Sequence, residues 1–128
     1  MTHAHRVLLV EDDRYLRKAA EVVLQRAGLT VTTAADGIEA LRAVNQERPD
    51  LVLLDMIMPR MQGLDVLRAL KSDPATAAIP VIVLSNQGQE SDREQAFGAG
   101  AVDYLVKVNL SLRDLSTAVE RALTKMTT

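Results

Sequence analysis

The chain contains no cysteine and no tryptophan. The first absence excludes disulfides, thiolate metal sites and cysteine catalysis. One Phe and two Tyr are present, so the core has to be aliphatic and surfaces for base stacking are scarce. No apolar stretch approaches the ~20 residues that a membrane span needs. The opening Met1-Thr2-His3-Ala4-His5-Arg6 also lacks the apolar run of a signal peptide. A cytoplasmic location without membrane contact is therefore the expectation. Neither sign of charge dominates: 15 basic and 17 acidic residues leave a net charge of −2. That balance argues against direct nucleic-acid binding, which needs a basic face for phosphate contacts. His3 and His5 are assigned no metal role, because a lone pair in a chain terminus is seldom held in place.

At 128 residues, the chain can build one domain with a real core, but not two. A composition of 48% hydrophobic and 25% charged residues belongs to a soluble globular domain. Short aliphatic runs occur at Val7–Val10, Thr30–Thr33, Leu51–Leu54, Val81–Leu84 and Tyr104–Val106. Each is followed by a segment of helical period. In the first such segment Leu16, Ala19, Ala20, Val23, Leu24 and Ala27 form one apolar stripe, and Leu115, Ala118, Val119, Ala122 and Leu123 form another in the last.

Punctuation agrees with these elements. Asp13 is placed to cap the first helix, and Gly28 to end it in the left-handed conformation. Asp36 with Glu39, Ser91 with Glu94, and Ser111 with Asp114 have the spacing of capping boxes. Pro49 and Pro80 stand just before strands, where a helix could not continue.

Five β–α units in alternation imply a parallel sheet with right-handed crossovers and helices on both faces. The runs at Val7–Val10, Leu51–Leu54 and Val81–Leu84 are apolar on both faces, so they should be central. Thr30–Thr33 alternates and should be an edge, and Tyr104–Val106, between Asp103 and Lys107, is the other edge candidate. An α/β doubly wound sheet of order 2-1-3-4-5 with five helices satisfies both deductions.

The polar residues that interrupt this frame all end strands. Glu11 and Asp12 follow the first, Asp55 the third, Ser85 the fourth and Lys107 the fifth. In such a sheet ligands bind at the carboxyl edge where strand order reverses, between the first and third strands. Glu11, Asp12 and Asp55 should converge there. Three carboxylates in one crevice raise one another's pKa, which a divalent cation would relieve. Oxygen donors without His or Cys select a hard ion, and Mg²⁺ suits a site that keeps waters. Lys107 and Ser85 would add an ammonium and a hydroxyl beside Asp55, and this set matches what phosphoryl transfer to a carboxylate requires.

At these residues the sequence resembles the receiver domains of two-component response regulators, particularly the single-domain chemotaxis and sporulation types. The matching text is Val7-Leu8-Leu9-Val10-Glu11-Asp12-Asp13, Leu53-Leu54-Asp55-Met56-Ile57-Met58-Pro59 with Gly63, Pro80–Ser85, Gly98-Ala99-Gly100-Ala101 and Tyr104-Leu105-Val106-Lys107. It runs through essentially the whole chain, which is then a single receiver domain, 1–128, of flavodoxin-like fold. The resemblance implies that Asp55 is the phosphoacceptor, that Asp12 binds Mg²⁺ directly and Glu11 through water, and that the backbone carbonyl of Ile57 is a further ligand. It makes Ser85 the switch hydroxyl, Lys107 the partner of a phosphoryl oxygen, and Tyr104 a rotamer switch that is inward when phosphorylated and outward otherwise. A histidine kinase or phosphotransfer protein would supply the phosphoryl group. The surface of helix four, strand five and helix five would then change for a downstream target protein or an output domain absent from this chain.

Three positions depart from the family pattern. Val108 stands where a proline joined by a cis bond is usual. A cis bond to a non-proline costs ~2.5–4 kcal/mol, which points to a trans bond and a different placement of Lys107. Ile57 puts an apolar side chain where some members have a polar one that orients hydrolytic water, so slow self-dephosphorylation is expected. Asn86 replaces a small residue and should narrow access to Asp55.

The expected role is a signalling phosphoacceptor with self-catalysed phosphoryl transfer and autodephosphorylation, not a metabolic enzyme. An aspartyl phosphatase of the haloacid dehalogenase type would need a second Asp where Ile57 stands. A flavin module would need a hydroxyl-rich loop where Glu11-Asp12-Asp13 would repel phosphate, and no P-loop occurs. The remaining alternative is a degenerate receiver that binds partners without phosphorylation.

Overall fold

The computed structural model describes residues 5–58, 60–86 and 88–126, of which residues 109 and 126 are described in their backbone alone. His3, Pro59 and Thr128 lie outside the described residues. Five strands alternate with five helices: β1 Arg6–Val10, α1 Arg14–Arg26, β2 Thr30–Ala34, α2 Gly37–Gln46, β3 Leu51–Asp55, α3 Gly63–Ser72, β4 Val81–Ser85, α4 Glu90–Gly98, β5 Asp103–Val106 and α5 Leu112–Met126. A 3₁₀ turn, Lys107–Asn109, links β5 to α5. The sheet is parallel with order β2-β1-β3-β4-β5.

The period-two alternation of the strands sorts the core into two layers. Leu8, Val10, Val52, Leu54, Val81 and Val83 face one way and pack with Ala40 and Val44 of α2, Val66, Leu67 and Leu70 of α3, and Ala96 of α4. Val7, Leu9, Leu51, Leu53, Ile82 and Leu84 face the other way, onto Ala20 and Leu24 of α1 and Leu115, Val119 and Leu123 of α5. Each fully buried Leu or Val contributes about 1.5–3 kcal/mol relative to exposure, so β3 and β4, buried at every position, anchor the domain. Edge strand β2 is partly exposed, as its threonines imply. No helix among the described residues is long and apolar enough to cross a membrane.

Caps decide where the helices begin. Asp13 Oδ1 accepts from the N–H groups of Tyr15 (2.9 Å) and Leu16 (3.0 Å), and Gly28 takes φ 91° after α1. Ser111 and Asp114 form the reciprocal box: Asp114 N donates to Ser111 Oγ at 3.0 Å and Ser111 N to Asp114 Oδ2 at 3.2 Å. Asp36 Oδ1 accepts from Glu39 N at 2.9 Å. The box expected at Ser91 and Glu94 does not form. Helix α4 already starts at Glu90, and its N-cap Gln89 makes no side-chain capping bond, so Ser91 lies inside the first turn. Ala27, in register with the α1 stripe, is exposed because the helix has ended there.

Candidate metal and phosphoryl-transfer site

Register brings the acidic residues together. Val10 pairs with Leu54 and Asp55 with Leu84, so the residues that follow β1 and end β3 share one edge. Glu11 stays in line with the sheet, its N–H donating to Ala34 O at 3.0 Å. Its side chain points inward and is 1% exposed, whereas Asp12 is exposed. Asp13 N donates to Glu11 Oε2 at 3.1 Å. From α1, Arg17 Nη1 donates to Glu11 O at 2.9 Å and more weakly to Asp12 O at 3.4 Å, which steadies the acidic turn from behind.

Oxygen atoms of Glu11, Asp12 and Asp55 lie within 4.8 Å of one another. Lys107 Nζ stands 2.7 Å from Glu11 Oε1 and 3.1 Å from Asp55 Oδ1. The Lys107–Val108 bond is trans. The trans bond is the one expected at Val108, and the 3₁₀ turn begins at Lys107 with its ammonium against the carboxylates. These residues line an open cleft of about 480 Å³, together with Leu16, Ile57, Asn86 and Val108.

Charge and burial are in tension here. Asp55 is 4% exposed. Burial, reinforced by the negative charge of Glu11, pushes its carboxyl up to about 7 against the opposing pull of Lys107. Burial alone would lower the Lys107 ammonium, but the Glu11 and Asp55 carboxylates outweigh it and the net shift is upward. Glu11 Oε1 has no hydrogen bond of good geometry despite its ion pair with Lys107. Three carboxylates converging beside a single ammonium leave an excess of negative charge that fits a hard divalent cation.

The raised Asp55 value makes stability depend on pH in a definite direction. The folded state holds a proton on Asp55 that the unfolded state releases near the ordinary value of 3.8. This contribution is complete below that value and is lost as pH rises through about 7. With a chelator present, Asp55→Asn is expected to stabilise the fold by about 1–2 kcal/mol near pH 8 and to have little effect near pH 3.5. Lys107 keeps Glu11 as partner in that variant, so no charge is orphaned. Urea midpoints at the two pH values give the comparison, and a lower midpoint for the variant near pH 8 would contradict it.

A family model for the response regulator receiver domain matches residues 7–120. The chain belongs to this family. Among relatives of the receiver, the gliding motility regulatory protein of Myxococcus xanthus is 40% identical over 116 residues, 91% of this chain and 15% of that protein. Response regulator MprA of Mycobacterium ulcerans is 42% identical over 102 residues, 80% of this chain and 43% of that protein. The chain spans less than half the length of either. Chemotaxis protein CheY4 of Vibrio cholerae superposes with a TM-score of 0.87 at 29% identity, covering 93% of this chain and 98% of that one. Receiver domains generally bind Mg²⁺ at an acidic site, and the donor set of this receiver suits it.

The switch residues are placed less uniformly. Ser85 ends β4 but is 1% exposed and does not line the cleft, where Asn86 stands instead. Tyr104 occupies the inward of its two expected positions, 3% exposed. The Arg93 guanidinium lies over its ring at 5.4 Å and over Phe97 at 6.0 Å. Sequence reasoning gave neither Arg17 nor Arg93 a place at the site: both are helix-surface arginines whose targets lie in other turns.

Proposed function

We propose that this receiver is a phosphoacceptor: a carboxylate oxygen of Asp55 attacks the phosphorus of a phosphohistidine on a histidine kinase or phosphotransfer protein. The oxygen–phosphorus bond forms as the phosphorus–nitrogen bond breaks, and the electron pair leaves with the imidazole. The observation that carries this reading is the placement of Lys107 Nζ 3.1 Å from Asp55 beside three converging carboxylates.

Asp12, Asp55 and the Ile57 carbonyl would hold Mg²⁺, with Glu11 acting through water, and the ion would supply positive charge for the phosphoryl oxygens. Lys107 keeps Asp55 more ionised than burial alone would allow and offers an ammonium to a second phosphoryl oxygen. Ser85 and Tyr104 carry the new charge to the surface of α4, β5 and α5, where a target protein or an output domain reads it. The role is that of a signalling switch rather than a metabolic catalyst. Val108 does not count against it, since Lys107 reaches both carboxylates across a trans bond.

Incubation with acetyl phosphate and Mg²⁺ is expected to add one phosphoryl group, labile to hydroxylamine, that is lost with chelator or in Asp55→Asn. No adduct on the wild type would instead favour a receiver that binds partners without phosphorylation. Ile57, 53% exposed at the cleft, offers no polar group to orient water. The adduct should therefore decay over minutes or longer, and decay within seconds at room temperature would contradict this.

A further inference from the structure

The loop between β3 and α3 carries Met56, Ile57 and Met58 away from Asp55 and returns at Gly63. Backbone bonds hold its ends: Met56 N donates to Leu84 O at 2.9 Å and Gly63 N to Met56 O at 3.0 Å. Between them, Arg60 adopts φ 68°, a left-handed conformation that glycine or asparagine enters far more readily than arginine. Its side chain does something neither of those could. Arg60 Nε donates to Asp36 Oδ2 at 3.0 Å, and Arg60 Nη2 pairs with the same oxygen.

Asp36 is itself fixed, 6% exposed, with Oδ1 occupied as the cap of α2. The Glu39 backbone N–H and then the Arg60 guanidinium hold its carboxyl below the usual range. A steric contact reinforces the ionic one. Gly37 approaches the loop so closely that a Cβ there would come within 2.7 Å of Met61 Cβ. The start of α2 is thus pressed on residues 60–61 by two different interactions.

We propose that Asp36 and Arg60 form a latch that holds the β3–α3 loop in its cation-binding conformation, making Arg60 a positioning residue for the Ile57 carbonyl. The inference rests on reading Glu11, Asp12, Asp55 and Ile57 as the cation site. A backbone carbonyl has no side-chain freedom with which to find the ion, so its contribution depends on how firmly the loop is held. Loss of the latch leaves the three carboxylates and Lys107 untouched and loosens only this ligand.

Mg²⁺ titration calorimetry on R60A, R60G, R60K and D36N separates the possibilities, with amide exchange of segment 56–62 measured without metal. R60A and D36N are expected to weaken Mg²⁺ about 5- to 10-fold and to speed exchange in this segment. R60G, which suits the backbone but lacks the guanidinium, should weaken it as much, and R60K should recover part of the loss. The double variant R60A/D36N should lose no more than either single one, because both remove one interaction. Wild-type affinity in R60A and D36N, or additive losses in the double variant, would overturn the latch alone. Absence of Mg²⁺ binding by the wild type would overturn the cation-site reading, and the latch's role with it.

Discussion

Lys107→Met is expected to slow phosphoryl transfer from acetyl phosphate to Asp55 by about 100-fold or more. Two effects add in the same direction. The ammonium lies 3.1 Å from Asp55 Oδ1 and 2.7 Å from Glu11 Oε1, so its removal leaves two buried carboxylates facing each other across the cleft floor. The Asp55 carboxyl, already pushed up to about 7, would rise further, and less of it would be ionised to attack phosphorus at neutral pH. The charge that should meet the phosphoryl oxygens would also be gone. Breaking a buried pair typically costs about 3–5 kcal/mol of stability. Mg²⁺ should restore part of that by neutralising the same carboxylates. The variant should therefore melt lower than the wild type in chelator and recover more on adding Mg²⁺. Lys107→Arg should not rescue the rate, since a planar guanidinium is wider than the ammonium it replaces. The rate at which phosphorylated mass accumulates measures the effect, and a wild-type rate in Lys107→Met would remove Lys107 from the chemistry.

The parts of this site legible in the sequence are those set by local pattern. Apolar runs place the strands to within a residue at either end, because a buried parallel strand has few alternatives. Once strand order follows, the convergence of Glu11, Asp12 and Asp55 is geometry. Asp13 and the Ser111–Asp114 pair are readable for a related reason: a cap and the backbone it serves lie within one turn. The same spacing misleads at Ser91 and Glu94, where apolar periodicity is too weak to mark the helix start and only Ala96 of α4 is buried. Contacts between distant segments leave no such trace. Nothing near Arg60 announces Asp36, 24 residues earlier. Nor does the sequence show that Lys71, on α3, turns its ammonium onto the carbonyls of Ala77 and Ile79 at 2.9 and 2.7 Å. Tyr104 shows the same limit: its position in the chain suggests a switch, but its inward packing under Arg93 depends on where α4 lies.

Gly63→Ala is expected to destabilise the domain by about 3 kcal/mol or more, although it adds a single methyl group at the start of a helix. A Cβ at this position would sit 2.3 Å from the carbonyl oxygen of Asp55 and 2.8 Å from Met56 Cα. Both are backbone atoms, so no rotamer change relieves the overlap. Met56 is further fixed by its bonds to Leu84 O and from Gly63 N. Either α3 withdraws, exposing Val66, Leu67 and Leu70, or the end of β3 shifts and takes the Asp55 carboxylate away from Lys107. Both routes couple a packing defect to the site, so phosphoryl acceptance should fall along with the urea midpoint. Gly98→Ala is the control. That glycine ends α4 with nothing within 4 Å of an added Cβ, and alanine there should be neutral or stabilise by up to about 1 kcal/mol through its helix propensity. If Gly63→Ala kept the wild-type midpoint, the close approach of α3 to Asp55 would be wrong, and with it the account of why this loop can deliver Ile57 to the cleft.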